Sequence, residues 1–258
     1  VHSADARIMP MPTVHSRTLA VPKAGAEADE YEDAAHTRAD GGPVRAAVAD
    51  GATESIFAAD WARILVQAVT RGPITPAALR EGIPDWRRAW AARRDEQAAT
   101  APWYVQAKAD DGAFATLLGL EVHADGRWRA AAVGDCVLFH LRGAQLERSW
   151  PVSAPDAFTD RPALLCSRPH PEASVPERLR TTSGEWRRGD AFLLATDAVA
   201  AWLLRAHEQP EASLTPAAAR TWSAGAFREA VAAARTDGTL RNDDSTLLVL
   251  EWPAPPAS

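Results

Sequence analysis

The chain has 258 residues, 47% of them apolar and 24% charged, a balance that suits a folded protein and excludes wholesale disorder. A net charge of -6 argues against a nucleic-acid partner, whose binder would carry a basic footprint. No apolar run reaches the ~18 to 20 residues needed to cross a bilayer, and the opening VHSADARIMPMP lacks the apolar core of a signal peptide, so a cytoplasmic monomer without a membrane partner is expected.

The even spread of apolar residues predicts one domain over 4–252, preceded by a trimmed or processed remnant at 1–3 and followed by a proline-rich tail, PAPPAS, at 253–258. Cys136 and Cys166 lie in or beside apolar stretches without CxxC spacing, so buried free thiols are expected instead of zinc ligands or a disulfide.

In chain order, residues 12–20 and 44–50 carry short strand patterns, with the acidic stretch EADEYEDAAHTRADGG between them expected as a loop. From Ser55 to Thr70, Trp61, Ile64, Leu65, Ala68 and Val69 fall on one face of an amphipathic helix. A second helix places Leu79, Ile83, Trp86 and Trp90 on one stripe, with Pro84 expected to interrupt it. These tryptophans read as core residues and not as a binding platform.

Beyond Ala113, AFATLLGLEVH and WRAAAVGDCVLFHLR form strands joined by a hairpin at Asp125-Gly126, and RGAQ turns into another strand. Residues 151–178 are proline-rich and loop-like. The AFLLAT run is apolar on both faces and suits a central, doubly covered strand. Helical patterns around 199–206 and 224–234 precede a last strand, STLLVLEW. Antiparallel strands with helices grouped in pairs indicate an α+β fold, and neither GxGxxG nor GxxxxGK[ST] is present.

Aspartates recur at the edges of apolar runs: Asp50 after AAVA, Asp135 in AAAVGDCVLF, Asp197 after FLLAT, and Asp243-Asp244 before STLLV, with Glu32-Asp33 earlier in the chain. Each taken singly is explained by a turn or a helix cap. Brought together at a sheet edge they would repel one another unless a cation lay between them, and hard oxygen donors select Mg²⁺ or Mn²⁺ over zinc.

The series Tyr31-Glu32-Asp33, Asp50-Gly51-Ala52, Gly134-Asp135-Cys136, Leu193-Leu194-Ala195-Thr196-Asp197-Ala198 and Asp243-Asp244-Ser245-Thr246 resembles the metal-dependent protein phosphatases of type 2C. That family reads NED, DGHGG, GDS, LLxTDG and DDxT or DNxT in the same order, and the likeness runs from Glu32 to Glu251. The resemblance implies a four-layer α-β-β-α sandwich of two antiparallel sheets flanked by helix pairs, with two Mn²⁺ or Mg²⁺ ions at one end. By matched position Asp50 would bridge the ions, the Gly51 carbonyl, Asp197 and Asp243 would ligate directly, and Glu32 and Asp33 would act through water. Asp135 matches the carboxylate of a weaker third ion. The implied activity is hydrolysis of phosphoserine or phosphothreonine in a protein, the substrate of a cognate kinase.

Three positions depart from the family pattern. Ala52 stands where DGHGG has its histidine, Ala198 replaces the glycine of TDG, and Ala28 holds the place of a phosphate-binding arginine. His36 is the candidate substitute for the missing proton donor, and Arg38 or Arg45 for the missing phosphate contact. The losses leave a rival reading open, a catalytically weak or silent module that binds phosphorylated partners; hydrolysis of a small phosphorylated molecule is a third.

Overall fold

The computed structural model describes residues 11–27, 30–52, 57–99, 111–159, 161–169, 178–209 and 214–253. Several expected features lie outside the described residues: the start of the domain at 4–10, Ala28, Thr53 and Glu54, the first residues of the helix beginning at Ser55, 170–177 of the proline-rich stretch, and the tail at 254–258.

Two five-stranded antiparallel sheets face each other. One is ordered β1 (His15–Val21), β12 (Ser245–Glu251), β11 (Asp190–Ala195), β7 (Val137–Arg142), β8 (Gln145–Trp150). The other runs β10 (Arg180–Glu185), β6 (Arg127–Val133), β5 (Leu117–Val122), β3 (Val44–Ala49), β2 (Ala34–Arg38). Between them Val48, Leu118, Leu120, Trp128, Phe192, Leu194, Leu248 and Trp252 form a buried apolar central layer.

The outer faces are apolar as well, because successive strand residues point to opposite sides. On β3, Ala46 and Val48 enter the central layer while Ala47 and Ala49 meet the helices. On β11, Phe192 and Leu194 point inward while Leu193 and Ala195 point outward, as the unbroken apolar run AFLLA requires. Helices α1 (Ala58–Val69) and α2 (Pro76–Ala98) cover the β3 sheet through Trp61, Leu65, Val69, Ile83 and Trp90. Helices α3 (Asp197–His207), α4 (Pro216–Ala219) and α5 (Ala224–Thr236) cover the other. The result is the expected four-layer α-β-β-α sandwich. Trp61 and Trp90 belong to its core, their indole N–H groups donating to the carbonyls of Leu165 and Phe57.

Three local expectations are corrected. The stretch expected as a loop contains β2, which pairs with β3 from Ala34↔Ala49 to Arg38↔Arg45. Pro84 does not interrupt α2, whose 23 residues run through it. The proline-rich stretch contributes β9 (Leu165–Cys166), paired with β4 (Phe114–Ala115), and is followed by the polar strand β10. Both cysteines are buried free thiols.

Across the sandwich, β3 approaches β11 and β2 approaches β12. This contact draws the ends of four strands to one pole of the fold.

Candidate active site

Strand direction decides which side chains meet at that pole. Asp33 immediately precedes β2 and Asp50 immediately follows β3, so the two flank the same end of an antiparallel pair. Asp197 stands two residues beyond the end of β11, as the first residue of α3, and Asp243 two residues before β12, at the matching end of a second pair. Asp135 lies in the tight connection that passes from β6 in one sheet to β7 in the other. Five aspartates distant in sequence thus converge on one end of the sandwich.

Their electrostatics record the crowding. Burial and then the negative charges of Asp33, Asp197, Asp243 and Asp135 push the Asp50 carboxyl well above the ordinary carboxylate range. Burial raises Asp33 to about 8, against the lowering effect of its hydrogen bonds, with Asp244 and Asp197 adding to the rise. Asp135 is raised to about 7 by burial and by Asp197. A cluster of this kind has a high affinity for positive charge, whether protons or cations.

The supporting contacts fix its geometry. Asp33 is 3% exposed, and its Oδ2 accepts hydrogen bonds from the hydroxyls of Thr196 at 2.9 Å and Thr246 at 2.7 Å. Tyr31 also contacts the Thr246 hydroxyl through its own. The Asp50 N–H donates to Thr116 Oγ1 at 3.1 Å, and the Thr116 N–H returns a bond to the Asp50 carbonyl at 2.9 Å. Asp244 accepts from the N–H groups of Lys23 at 2.9 Å and Glu32 at 2.7 Å, tying the first motif to the last. Arg235 clamps the same turn, donating to the Asp243 carbonyl at 2.5 Å and to Ser245 Oγ at 3.1 Å.

Two glycines are required by close approach. A Cβ on Gly51 would fall 2.9 Å from the Glu32 carbonyl oxygen and 3.0 Å from the Ala58 Cβ. Gly134 has φ +99°, and a Cβ there would meet the Thr116 side chain at 2.6 Å. The glycine beside Asp50 and the one before Asp135 therefore let separate chain segments close on the cluster.

The donor set fits a divalent cation of the Mg²⁺ or Mn²⁺ type. It is built of hard carboxylate oxygens with the Gly51 carbonyl beside them, and Asp33 Oδ1 and Asp135 Oδ1 are buried without a hydrogen-bond partner. Among the described residues, no three His, Cys, Asp or Glu side chains stand close enough to hold an ion as they are. Two of the carboxylates are drawn to an internal cation instead: Arg241 Nη2 donates to Asp197 Oδ2 at 2.5 Å and to Asp243 Oδ2 at 2.7 Å.

The other candidates go elsewhere. His36 Nδ1 pairs with Thr70 Oγ1 at 2.7 Å at the end of α1, and the charged groups acting on it are Arg71 and Arg38. Arg38 donates to Asp40 at 2.6 Å, and Arg45 to the buried Glu121 at 3.1 Å. The structure does not bring these three side chains to the carboxylates, because β2 and β3 carry them away from the pole. Glu32 stays near it, with its carboxylate 3.6 Å from Lys23 Nζ. Thr116, Thr196, Thr246, Arg235 and Arg241 were not signalled as site residues by sequence. Thr196 and Thr246 do stand inside the aspartate motifs, which is the one cue available; Thr116 lies outside them and has none.

The profile of the protein phosphatase 2C family matches residues 27–238. The chain therefore belongs to that family, although the match stops short of Asp243. No curated protein sequence matches the chain. Among solved structures it is similar to the Mycobacterium tuberculosis serine/threonine phosphatase PstP/Ppp, with 17% identity, a TM-score of 0.55, and 93% of this chain and 99% of that one covered. A structure of the PstP catalytic domain in complex with two manganese ions gives 19% identity and a TM-score of 0.54, covering 94% of this chain and all of that one. PppA, described as a key regulatory component of T6SS in Pseudomonas aeruginosa, gives 19% identity, a TM-score of 0.56, and coverage of 94% and 99%. At these identities the likeness speaks to the fold.

Proposed function

We propose that this chain is a metal-dependent protein serine/threonine phosphatase that hydrolyses phosphomonoesters. The observation that carries the reading is the convergence of Asp33, Asp50, Asp135, Asp197 and Asp243 on one pole, with buried carboxylate oxygens left without partners. Asp50, the Gly51 carbonyl, Asp197 and Asp243 are the direct ligands in this reading, Glu32 and Asp33 act through water, and Asp135 serves a third, weaker site. Two bound Mn²⁺ or Mg²⁺ ions supply Lewis-acid stabilisation of phosphoryl charge and a water acidic enough to attack at neutral pH. The manganese-bound PstP domain supports the choice of ion.

The chain's own contribution is placement. Thr196 and Thr246 hold Asp33 in one orientation, Thr116 fixes the Asp50 backbone, and Asp244 anchors the Lys23–Glu32 segment against β12. Neither Ala52, which carries no acidic proton, nor His36, which is engaged with Thr70, is placed to protonate the leaving alkoxide. Loss of general-acid assistance is worth ~10²- to 10⁴-fold in rate, so slow turnover is the expected behaviour.

A second reading, a module that binds phosphorylated partners without turnover, is favoured by Ala52 and by the bridge from Arg241 to two of the proposed ligands. Phosphate release from p-nitrophenyl phosphate and from a phosphothreonine peptide, with Mn²⁺ and with chelator, separates the two. Metal-dependent turnover abolished by Asp50→Asn and by Asp197→Asn is the result expected of the phosphatase. Phosphopeptide binding with no phosphate released under any metal condition would establish the module instead.

A further inference from the structure

The cation already present at the pole is Arg241. One terminal nitrogen, Nη2, reaches both Asp197 Oδ2 at 2.5 Å and Asp243 Oδ2 at 2.7 Å, so a single positive group joins the two carboxylates proposed as direct metal ligands. These carboxylates are 14% and 33% exposed, whereas the Arg241 side chain is 56% exposed. The acids are fixed by the fold and the base is held chiefly by them. Asp197 is pinned at the end of β11 as the first residue of α3, and the Asp243 turn is clamped by Arg235. Arg241 precedes β12 in a turn, and its outer side lines an open groove with Trp202, Arg205 and Thr239. Its guanidinium can therefore leave by a change of rotamer while the carboxylates stay in place.

We propose that Arg241 is an internal counter-cation that joins Asp197 and Asp243 until a divalent ion displaces it, and so sets the metal concentration at which the centre loads. The inference rests on the reading of Asp197 and Asp243 as metal ligands. Two functions follow from the same contact. In the metal-free protein, Arg241 relieves repulsion between carboxylates held side by side. During loading it competes with the incoming ion, because a carboxylate oxygen engaged in a short charge-assisted hydrogen bond must give that bond up before it can ligate. The centre is thereby biased towards loading only when the ion is abundant.

The test is Mn²⁺ binding by isothermal titration calorimetry, paired with thermal denaturation with and without Mn²⁺. Arg241→Gln should bind Mn²⁺ at least ~10-fold more tightly than the wild type, because the competing cation is gone. Its metal-free form should melt lower than the wild type, and its Mn²⁺-loaded form should not. Arg241→Lys keeps the charge and should stay near the wild type in both measurements. Arg205→Gln makes the same change in net charge on a side chain bonded to the Thr239 carbonyl, and should leave Mn²⁺ affinity within about twofold. Unchanged or weaker Mn²⁺ binding by Arg241→Gln, with the wild type still binding, would overturn the inference and leave the metal centre standing. Equal tightening in Arg205→Gln would also overturn it, by reducing the effect to net charge. No Mn²⁺ binding by either wild type or variant would remove both the metal centre and the inference.

Discussion

Replacing Gly51 by alanine should loosen the pole of the sandwich without touching any acidic side chain. The added Cβ would lie 2.9 Å from the Glu32 carbonyl oxygen, 3.0 Å from the Ala58 Cβ and 3.1 Å from the Ala58 carbonyl carbon. Ordinary carbon contacts begin at ~3.5 Å, so backbone on one side or the other must move by about half an ångström. Neither neighbour is the far end of a flexible side chain: one is the backbone of the first motif and the other opens α1. Overpacking of this kind costs ~1–3 kcal/mol, which for a chain of this length lowers Tm by roughly 3 to 10 °C. The displaced corner carries both the Asp50 carboxylate and the Gly51 carbonyl, so Mn²⁺ affinity should fall as well. Urea denaturation and Mn²⁺ titration of Gly51→Ala read both effects. Gly42→Ala is the control, since a Cβ there meets nothing within 4 Å, and it should stay within ~0.5 kcal/mol of the wild type. A Gly51→Ala protein as stable as that control, with undiminished Mn²⁺ binding, would refute the packing account of the Asp-Gly corner.

Three further outcomes are expected. Thr246→Val removes one of the two hydroxyls held by the buried Asp33 and should lower unfolding free energy by ~1–3 kcal/mol, read as a shift in urea midpoint at constant slope. Glu121 and Asp190 predict sensitivity to acid. Burial alone would raise Glu121, but the Ile74 N–H and the Arg45 and Arg129 guanidinium groups hold it below the usual range. Burial opposes the lowering of Asp190 too, yet its bonds from Arg142, His140 and the Arg187 N–H prevail. Both folded-state values are depressed, so the stability they contribute is present above the unfolded values near ~4 and is lost as pH falls through the folded ones. Urea midpoints should therefore drop steeply below about pH 4.5, and Glu121→Gln should flatten that limb; a midpoint independent of pH down to about 3 would contradict the assignment. Finally, Mn²⁺ in ~100-fold excess over its Kd should stabilise the wild type by ~2.7 kcal/mol, and a thermal-shift assay should find no such gain in Asp50→Asn.

The parts of this fold that were legible in sequence are those where burial is complete. AFLLAT, LLGLEV and STLLVL are covered on both faces, so their apolar runs announce central strands, and the aspartates that end or precede them stand out against that background. The strand AAHTR and the strand RTTSGE are polar for a physical reason: β2 and β10 form the two edges of the same sheet, where burial is partial and alternation fades. Pro84 misled because its local penalty of ~3 kcal/mol is outweighed by the docking of Leu79, Ile83 and Trp90 on both sides of it.

Site residues divide in the same way. Asp50, Asp197 and Asp243 were visible because a carboxylate at the end of an apolar strand is conspicuous. His36, Arg38 and Arg45 were attractive by proximity in sequence to Asp33 and Asp50, yet each residue along a strand moves the chain ~3.3 Å farther from the pole. Arg241 had no sequence signal, since its role depends on a turn that places an arginine across two aspartates 44 and 2 residues away.

The most direct test of the carboxylate cluster as a metal centre is anomalous scattering from crystals grown with Mn²⁺. Two manganese peaks ~3.5–4 Å apart, with Asp50 between them and Asp197 and Asp243 in contact, are what the account predicts. No manganese at the pole under saturating Mn²⁺, with Arg241 still bridging Asp197 and Asp243, would contradict it.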